Sequence, residues 1–202
     1  VREEILRLGG RRGQRIFNEL ERAADAYRRD HDREASRILR PLRDELPDAP
    51  SIRELLGLVQ YRLGNYPAAI KELDAFVELS GSAEQHPVLM DCNRAQKKWR
   101  RVEQLWLELG EASPSSELVT EGRIVMAGSL ADQGRMTDAL SLLRRRTDGY
   151  KNPKPHHLRL WYALADLEER AGNLSAARAL FDRVRRNEAG FADVAERLAA
   201  LA

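Results

Sequence analysis

The chain has 202 residues, 33% of them charged and 43% hydrophobic, a balance that excludes a disordered polymer and a membrane-spanning bundle. Its 34 basic and 32 acidic residues alternate along the sequence, leaving a net charge of +2 and little reason to expect nucleic acid. The single cysteine, Cys92, excludes an intrachain disulfide and a thiolate metal site and points to a reducing, cytoplasmic compartment.

Residues 1–13 read as an N-terminal extension. The stretch Val1 to Leu8 mixes both signs of charge without a long apolar core or a small-residue cleavage site, so it is not a signal peptide. The chain opens on Val1 and not Met, which leads us to expect residues upstream. From there on, apolar residues recur three and four apart between regularly spaced turn residues, the period of helix after helix. A bend at Asp30, His31 and Asp32 precedes Ala35, Leu39 and Leu42. The clearest unit runs from Ser51 to Ser80: Leu55, Leu56 and Val59 make one apolar face, Gly64 ends it, and Asn65 and Pro67 open a second helix carrying Ala69, Ile70, Leu73, Phe76 and Val77. Ser51 with Glu54 is expected to form a capping box at the first of these helices.

The same unit recurs. Lys97 stands where a turn glycine is expected, ahead of Trp99, Val102, Trp106 and Leu109; Gly134 is followed by Ala139 and Leu143, and Gly172 by Ala177 and Phe181. From turn glycine to small residue is five positions at Gly64, Gly134 and Gly172 alike, and a large apolar residue follows four further on. Two antiparallel helices approach closely only where a small side chain faces the contact, and Ala69, Ala139 and Ala177 hold that place. Longer intervals coincide with the Pro-containing stretches 113–116 and 147–155, so insertions fall in loops. The stretch from Phe191 to Leu201 reads as an amphipathic cap.

This pattern resembles the tetratricopeptide repeat, carried by Leu56 with Gly57, Gly64 with Tyr66, and Ala69 with Leu73 in one copy, and by Trp161, Leu164, Gly172, Ala177 and Phe181 in another. The resemblance, to bacterial members in particular, implies an all-α, right-handed superhelical solenoid of about five antiparallel helical hairpins with a C-terminal capping helix. We expect one domain over residues 14–202, with repeats at 14–48, 49–81, 82–113, 114–155 and 156–189 and a cap at 190–202.

The resemblance also implies a non-enzymatic scaffold whose first helices line a concave groove for a peptide or helix of another protein. Groove candidates are Arg28, Glu54, Leu58, Tyr61, Arg62, Asp91, Arg94, Tyr162, Asp166 and Glu169. The Lys and Asn places of carboxylate-clamping relatives hold Glu54, Leu58, Val88 and Ile124, so that clamp is absent. Arg62 and Arg94 remain suited to holding acidic side chains.

No catalytic, metal or cofactor site is expected. His156 and His157 point about 100° apart on a helix and lack a third ligand, so they read as the opening of the helix leading to Trp161. Cys92 near His86 and Asp91 lacks an oxyanion-hole element and reads as a buried structural thiol. Local signatures of nucleotide, zinc-protease and serine chemistry are missing. The runs Arg144 to Arg146 and Arg183 to Arg186 sit at ends of second helices, where the dipole favours cations; an RNA-binding stripe is the alternative, with Tyr150 alone near enough to stack. Trp99, Trp106 and Trp161 read as core. A third reading is a structural subunit that exposes an apolar end for self-association, against which a monomer in solution would count; the expected state is a monomer or weak homo-dimer.

Overall fold

Among the described residues of the computed structural model, 10–112, 115–145 and 152–201, there are eleven helices and no strand. They are α1 (Gly10–Arg28), α2 (Asp32–Glu45), α3 (Pro50–Arg62), α4 (Tyr66–Ser80), α5 (His86–Ala95), α6 (Trp99–Ala112), α7 (Ser116–Asp132), α8 (Met136–Arg144), α9 (Pro155–Arg170), α10 (Leu174–Asn187) and α11 (Val194–Ala200). Residues 1–9 of the expected N-terminal extension lie outside the described residues, and 10–13 belong to α1. Arg146, Tyr150 and most of the 147–155 insertion lie outside the described residues.

One backbone device closes all five expected bends. Asp30, Gly64, Lys97, Gly134 and Gly172 each take a left-handed φ between 56° and 80°. The amide of the next residue then reaches back five positions to a helix carbonyl: His31 to Ala26, Asn65 to Gln60, Lys98 to Asn93 and Arg135 to Leu130 at 2.9 Å, and Asn173 to Glu168 at 2.8 Å. The left-handed residue itself donates three positions back, as Gly64 does to Tyr61 at 2.9 Å. These paired bonds satisfy carbonyls that the ending helix leaves open. The same reversal opens the next helix, because Asn65, Arg135 and Asn173 accept from the amides of Ala69, Ala139 and Ala177.

The side chain five positions beyond each left-handed residue is sealed from solvent. Ala35, Ala69, Val102, Ala139 and Ala177 are all 0% exposed. Four further on, Leu39, Leu73, Leu143 and Phe181 are also 0% exposed, the interlocking expected beside a small contact residue. Close approach is visible at Gly57, where an added Cβ would fall 2.6 Å from Leu73 Cγ, and at Gly122, 2.3 Å from Leu109 Cδ2.

The chain divides into two compact units between Arg101 and Val102, inside α6. In the first, Ile16, Leu20, Ala23, Leu39, Leu42, Ile52, Leu56 and Val59 form one buried cluster from α1, α2 and α3. A buried polar thread joins the first two hairpins: Asn65 Nδ2 donates to Gln60 Oε1 at 3.0 Å and Gln60 Nε2 to Ser36 Oγ at 2.9 Å. Glu72 of α4, almost sealed, accepts from Arg43 of α2 at 2.5 Å and Arg53 of α3 at 2.6 Å. In the second unit Leu158, Trp161, Ala165, Ala177, Phe181 and Val184 pack with Val194 of α11, flanked by Phe191, Leu198 and Leu201. That is the capping role the sequence suggests for the last stretch. Glu168, also buried, accepts from Arg144 at 2.7 Å and from Asn173 at 2.9 Å.

One local expectation is corrected. Ser51 and Glu54 form no capping box: Pro50 takes the first helical position, Ala49 precedes it, and Ser51 is buried within the first turn. The proline, preset for a helix start, moves the boundary two residues earlier. Glu54 turns instead to Gln85, whose Nε2 donates to it at 2.8 Å. A serine cap does occur at α7, where Ser115 Oγ accepts from the Leu118 amide at 3.2 Å.

The bends give two substitutions of opposite sign. Lys97→Gly relieves a side chain held in the left-handed region and should raise stability by about 1 kcal/mol, while Gly64→Ala, with open space around the new methyl, should lower it by about 1 kcal/mol. Urea midpoints of the two variants, measured against the parent, check this; shifts of the same sign would contradict it.

Candidate functional site

In the first unit the exposed side of the first helices α3 and α5 carries a cluster of hydrogen-bonding side chains. Tyr61 of α3 donates its hydroxyl to Asp91 Oδ2 of α5 at 2.8 Å, and Arg94 Nη1 lies 3.2 Å from the other oxygen of the same carboxylate. Asp91 and Arg94 are one helical turn apart, so both project from the same face. Burial, and then the Asp91 charge, push the Tyr61 hydroxyl well above its usual range. Glu54, bonded to Gln85, and half-buried Leu58 complete this surface.

Arg62 points elsewhere. It donates to the Tyr27 carbonyl at 2.9 Å and to Asp30 at 3.1 Å, and its guanidinium lies 3.6 Å from the centre of the Tyr27 ring. It ties α3 to the first bend. Arg28 is exposed and pairs with Asp25 of its own helix.

In the second unit the candidates converge on the cap. Tyr162 donates its hydroxyl to Asp193, just ahead of α11, and its ring meets Phe181 and Phe191 with centroids 5.4 and 5.7 Å away. Arg197 of α11 reaches back to Asp166 and Glu169 of α9, each at 2.8 Å. Burial and then the Asp193 bond raise the Tyr162 hydroxyl to about 12. Asp193 and Arg197 are not among the candidates expected from the sequence, although the amphipathic cap that carries them is.

The groups set aside as catalytic or metal-binding have local partners. His157 Nδ1 accepts the Lys154 amide at 2.9 Å at the start of α9, and its ring lies 4.1 Å from that of His156, so the pair opens the helix as expected. Among the described residues no cluster of three or more His, Cys, Asp and Glu is arranged to hold a metal. Cys92 is fully buried, and burial followed by the neighbouring Asp91 charge raises its thiol to about 12. Burial of this kind is that of a structural thiol. Trp161 is buried, with the Arg183 guanidinium 3.9 Å above its ring, while Trp99 and Trp106 are only half-buried.

Three of the arginines suited to an RNA stripe are engaged within the fold. Arg144 is bonded to Glu168, and Arg185 and Arg186 both pair with Asp182, at 2.7 and 2.5 Å. No helix among the described residues is long and apolar enough to cross a membrane.

The family model described as the tetratricopeptide repeat matches residues 20–84 and 125–190. The chain belongs to the tetratricopeptide repeat family. Comparison with the curated proteins finds no match. Three bacterial structures share the fold of this tetratricopeptide repeat chain. A thermophilic TPR protein of Thermus thermophilus is 18% identical with a TM-score of 0.68, over 92% of this chain and 98% of that one. A tetratricopeptide repeat protein of Parabacteroides merdae is 17% identical with a TM-score of 0.69, over 92% and 70% respectively. PilF of Pseudomonas aeruginosa is 13% identical with a TM-score of 0.63, over 99% and 90%. Membership in this family marks the chain as a protein–protein interaction scaffold.

The raised thiol and hydroxyls make stability pH-dependent in the alkaline range. Each of these groups is favoured neutral in the fold, so its contribution is complete below the unfolded pKa and is lost as pH rises towards the folded one. Melting temperature should therefore fall from about pH 9 upwards as unfolded cysteine ionises ahead of folded Cys92. Cys92→Ala should flatten the slope between about pH 9 and 10, before tyrosine contributes. Identical slopes in parent and variant would contradict it.

Proposed function

We propose that the chain is a non-enzymatic adaptor that holds a peptide or helix of another protein on the first-helix face of its first unit. The observation that carries this reading is the Tyr61, Asp91 and Arg94 cluster: an aromatic hydroxyl, a carboxylate and a guanidinium from two successive first helices, partly exposed beside Glu54 and Leu58. A surface of this composition offers donors and acceptors fixed in place before binding, which lowers the ordering cost of association. The second unit supplies an in-chain precedent, since its first-helix acids Asp166 and Glu169 hold the guanidinium of α11. Recognition works by shape and charge matching, with an affinity of about 8 kcal/mol, the micromolar range of reversible docking.

Arg62 and Tyr162 are poor probes of this face, because each secures the fold through Tyr27 or Asp193. Glu54→Lys combined with Arg94→Glu reverses two charges on it. In co-purification from native extract, recovery of the bound protein should drop by at least about tenfold with the double variant. Undiminished recovery, with the melting temperature of the variant matching the parent, would count against this face.

A further inference from the structure

The five second helices occupy one register, and one position in it departs from the rest. Five residues beyond the packed small side chain stand Arg40, Asp74, Arg144 and Asp182 in four of them; in α6 the same position is Leu107, 64% exposed. One residue earlier, where Leu39, Leu73, Leu143 and Phe181 are fully buried, α6 carries the half-buried Trp106. Since charged residues serve elsewhere at the Leu107 position, hairpin packing does not require an apolar side chain there.

Trp106 and Leu107 border a groove of about 450 Å³ in the second unit, lying between α6 and α8. Met126 and Leu130 of α7 form its floor, and Leu142 of α8 is on the far wall. An exposed Leu and a half-buried Trp over a Met-containing floor form the type of patch that partner side chains fill, with aromatic, Met and Arg residues enriched at such contacts. The rim charges are not equivalent. Arg135 is held by Asp138 at 2.8 Å, and Glu103 lies 3.9 Å from the same guanidinium. Arg145, exposed at the C-terminal end of α8, lines the same groove and has no ion-pair partner among the described residues.

We propose that this groove is a second docking surface, taking a short amphipathic helix of a partner protein. Two apolar side chains at helical spacing would bury against Trp106 and Leu107, and a carboxylate beside them would pair with Arg145. The charge selects the partner: a guanidinium next to apolar surface gains most from a bidentate carboxylate once water is excluded. A basic amphipathic helix would bring its cations against Arg145 and meet acids, Glu103 and Asp138, that already share Arg135.

The test uses displayed helix-forming peptides of about 16 residues, long enough for a helical face, selected on the intact chain and counter-selected on its Leu107→Glu variant. Leu107 is mostly solvated, so the variant should melt with the parent. Recovered peptides should carry paired apolar residues three or four apart and an Asp or Glu beside them. Their affinity should fall at least about tenfold with Leu107→Glu and with Arg145→Glu, and exchanging the peptide acid for Lys should restore binding to Arg145→Glu. Peptides indifferent to both substitutions overturn the proposal. Peptides lost only with Glu54→Lys and Arg94→Glu overturn it while supporting the first-helix face. A dimer in sedimentation that Leu107→Glu dissolves also overturns it, by assigning the groove to a second copy of the chain.

Discussion

The fold depends on a backbone reversal that ends one helix and starts the next within two residues. A left-handed residue turns the chain, the following amide closes on a carbonyl five back, and the same residue's carbonyl serves the fourth residue of the new helix. This fixes the rotation between the two helices, so the side chain five positions on must face its neighbour. Anything larger than Ala or Val there would force the helices apart. The hydrophobic clusters of both units follow from that geometry, because a fixed approach lets Leu39, Leu73, Leu143 and Phe181 find closed pockets.

Much of this was legible in the sequence, because the device is local. Gly64, Gly134 and Gly172 mark three bends directly, and their five-residue distance to Ala69, Ala139 and Ala177 locates the other two at Asp30 and Lys97, where glycine is missing. The expected capping box fails for an equally local reason: Ser51 and Glu54 have the right spacing, but Pro50 already occupies the first helical position. Contacts between helices were less legible. Tyr61 to Asp91, Gln85 to Glu54 and Arg197 to Asp166 each join residues about one repeat apart, and which rotamers meet depends on how neighbouring hairpins stack. The same stacking turned Arg62 towards Tyr27 and Asp30. Leu107 stands out in the sequence once the second helices are aligned with one another, since its distinction is one of register.

Charge in this chain is therefore mostly structural. Arginine greatly outnumbers lysine, and many of its guanidiniums join neighbouring helices: Arg43 and Arg53 at Glu72, Arg144 at Glu168, Arg159 at Glu121, Arg197 at Asp166 and Glu169. A planar fork that can bridge two oxygens suits this work better than an ammonium. What is left for partners is consequently sparse, which gives weight to the few half-exposed clusters.

The two buried glutamates have a consequence for how such an array can evolve. Glu72 is neutralised partly from the hairpin before its own, and Glu168 from the preceding hairpin and its own bend. At the place of Glu168, the second hairpin carries uncharged Gln60, which asks nothing ionic of its predecessor. The modules are thus not interchangeable beads. Shuffling, duplicating or deleting one would strand a carboxylate away from its cation, at a cost of several kcal/mol, so the electrostatic seams preserve the order of the units as well as joining them.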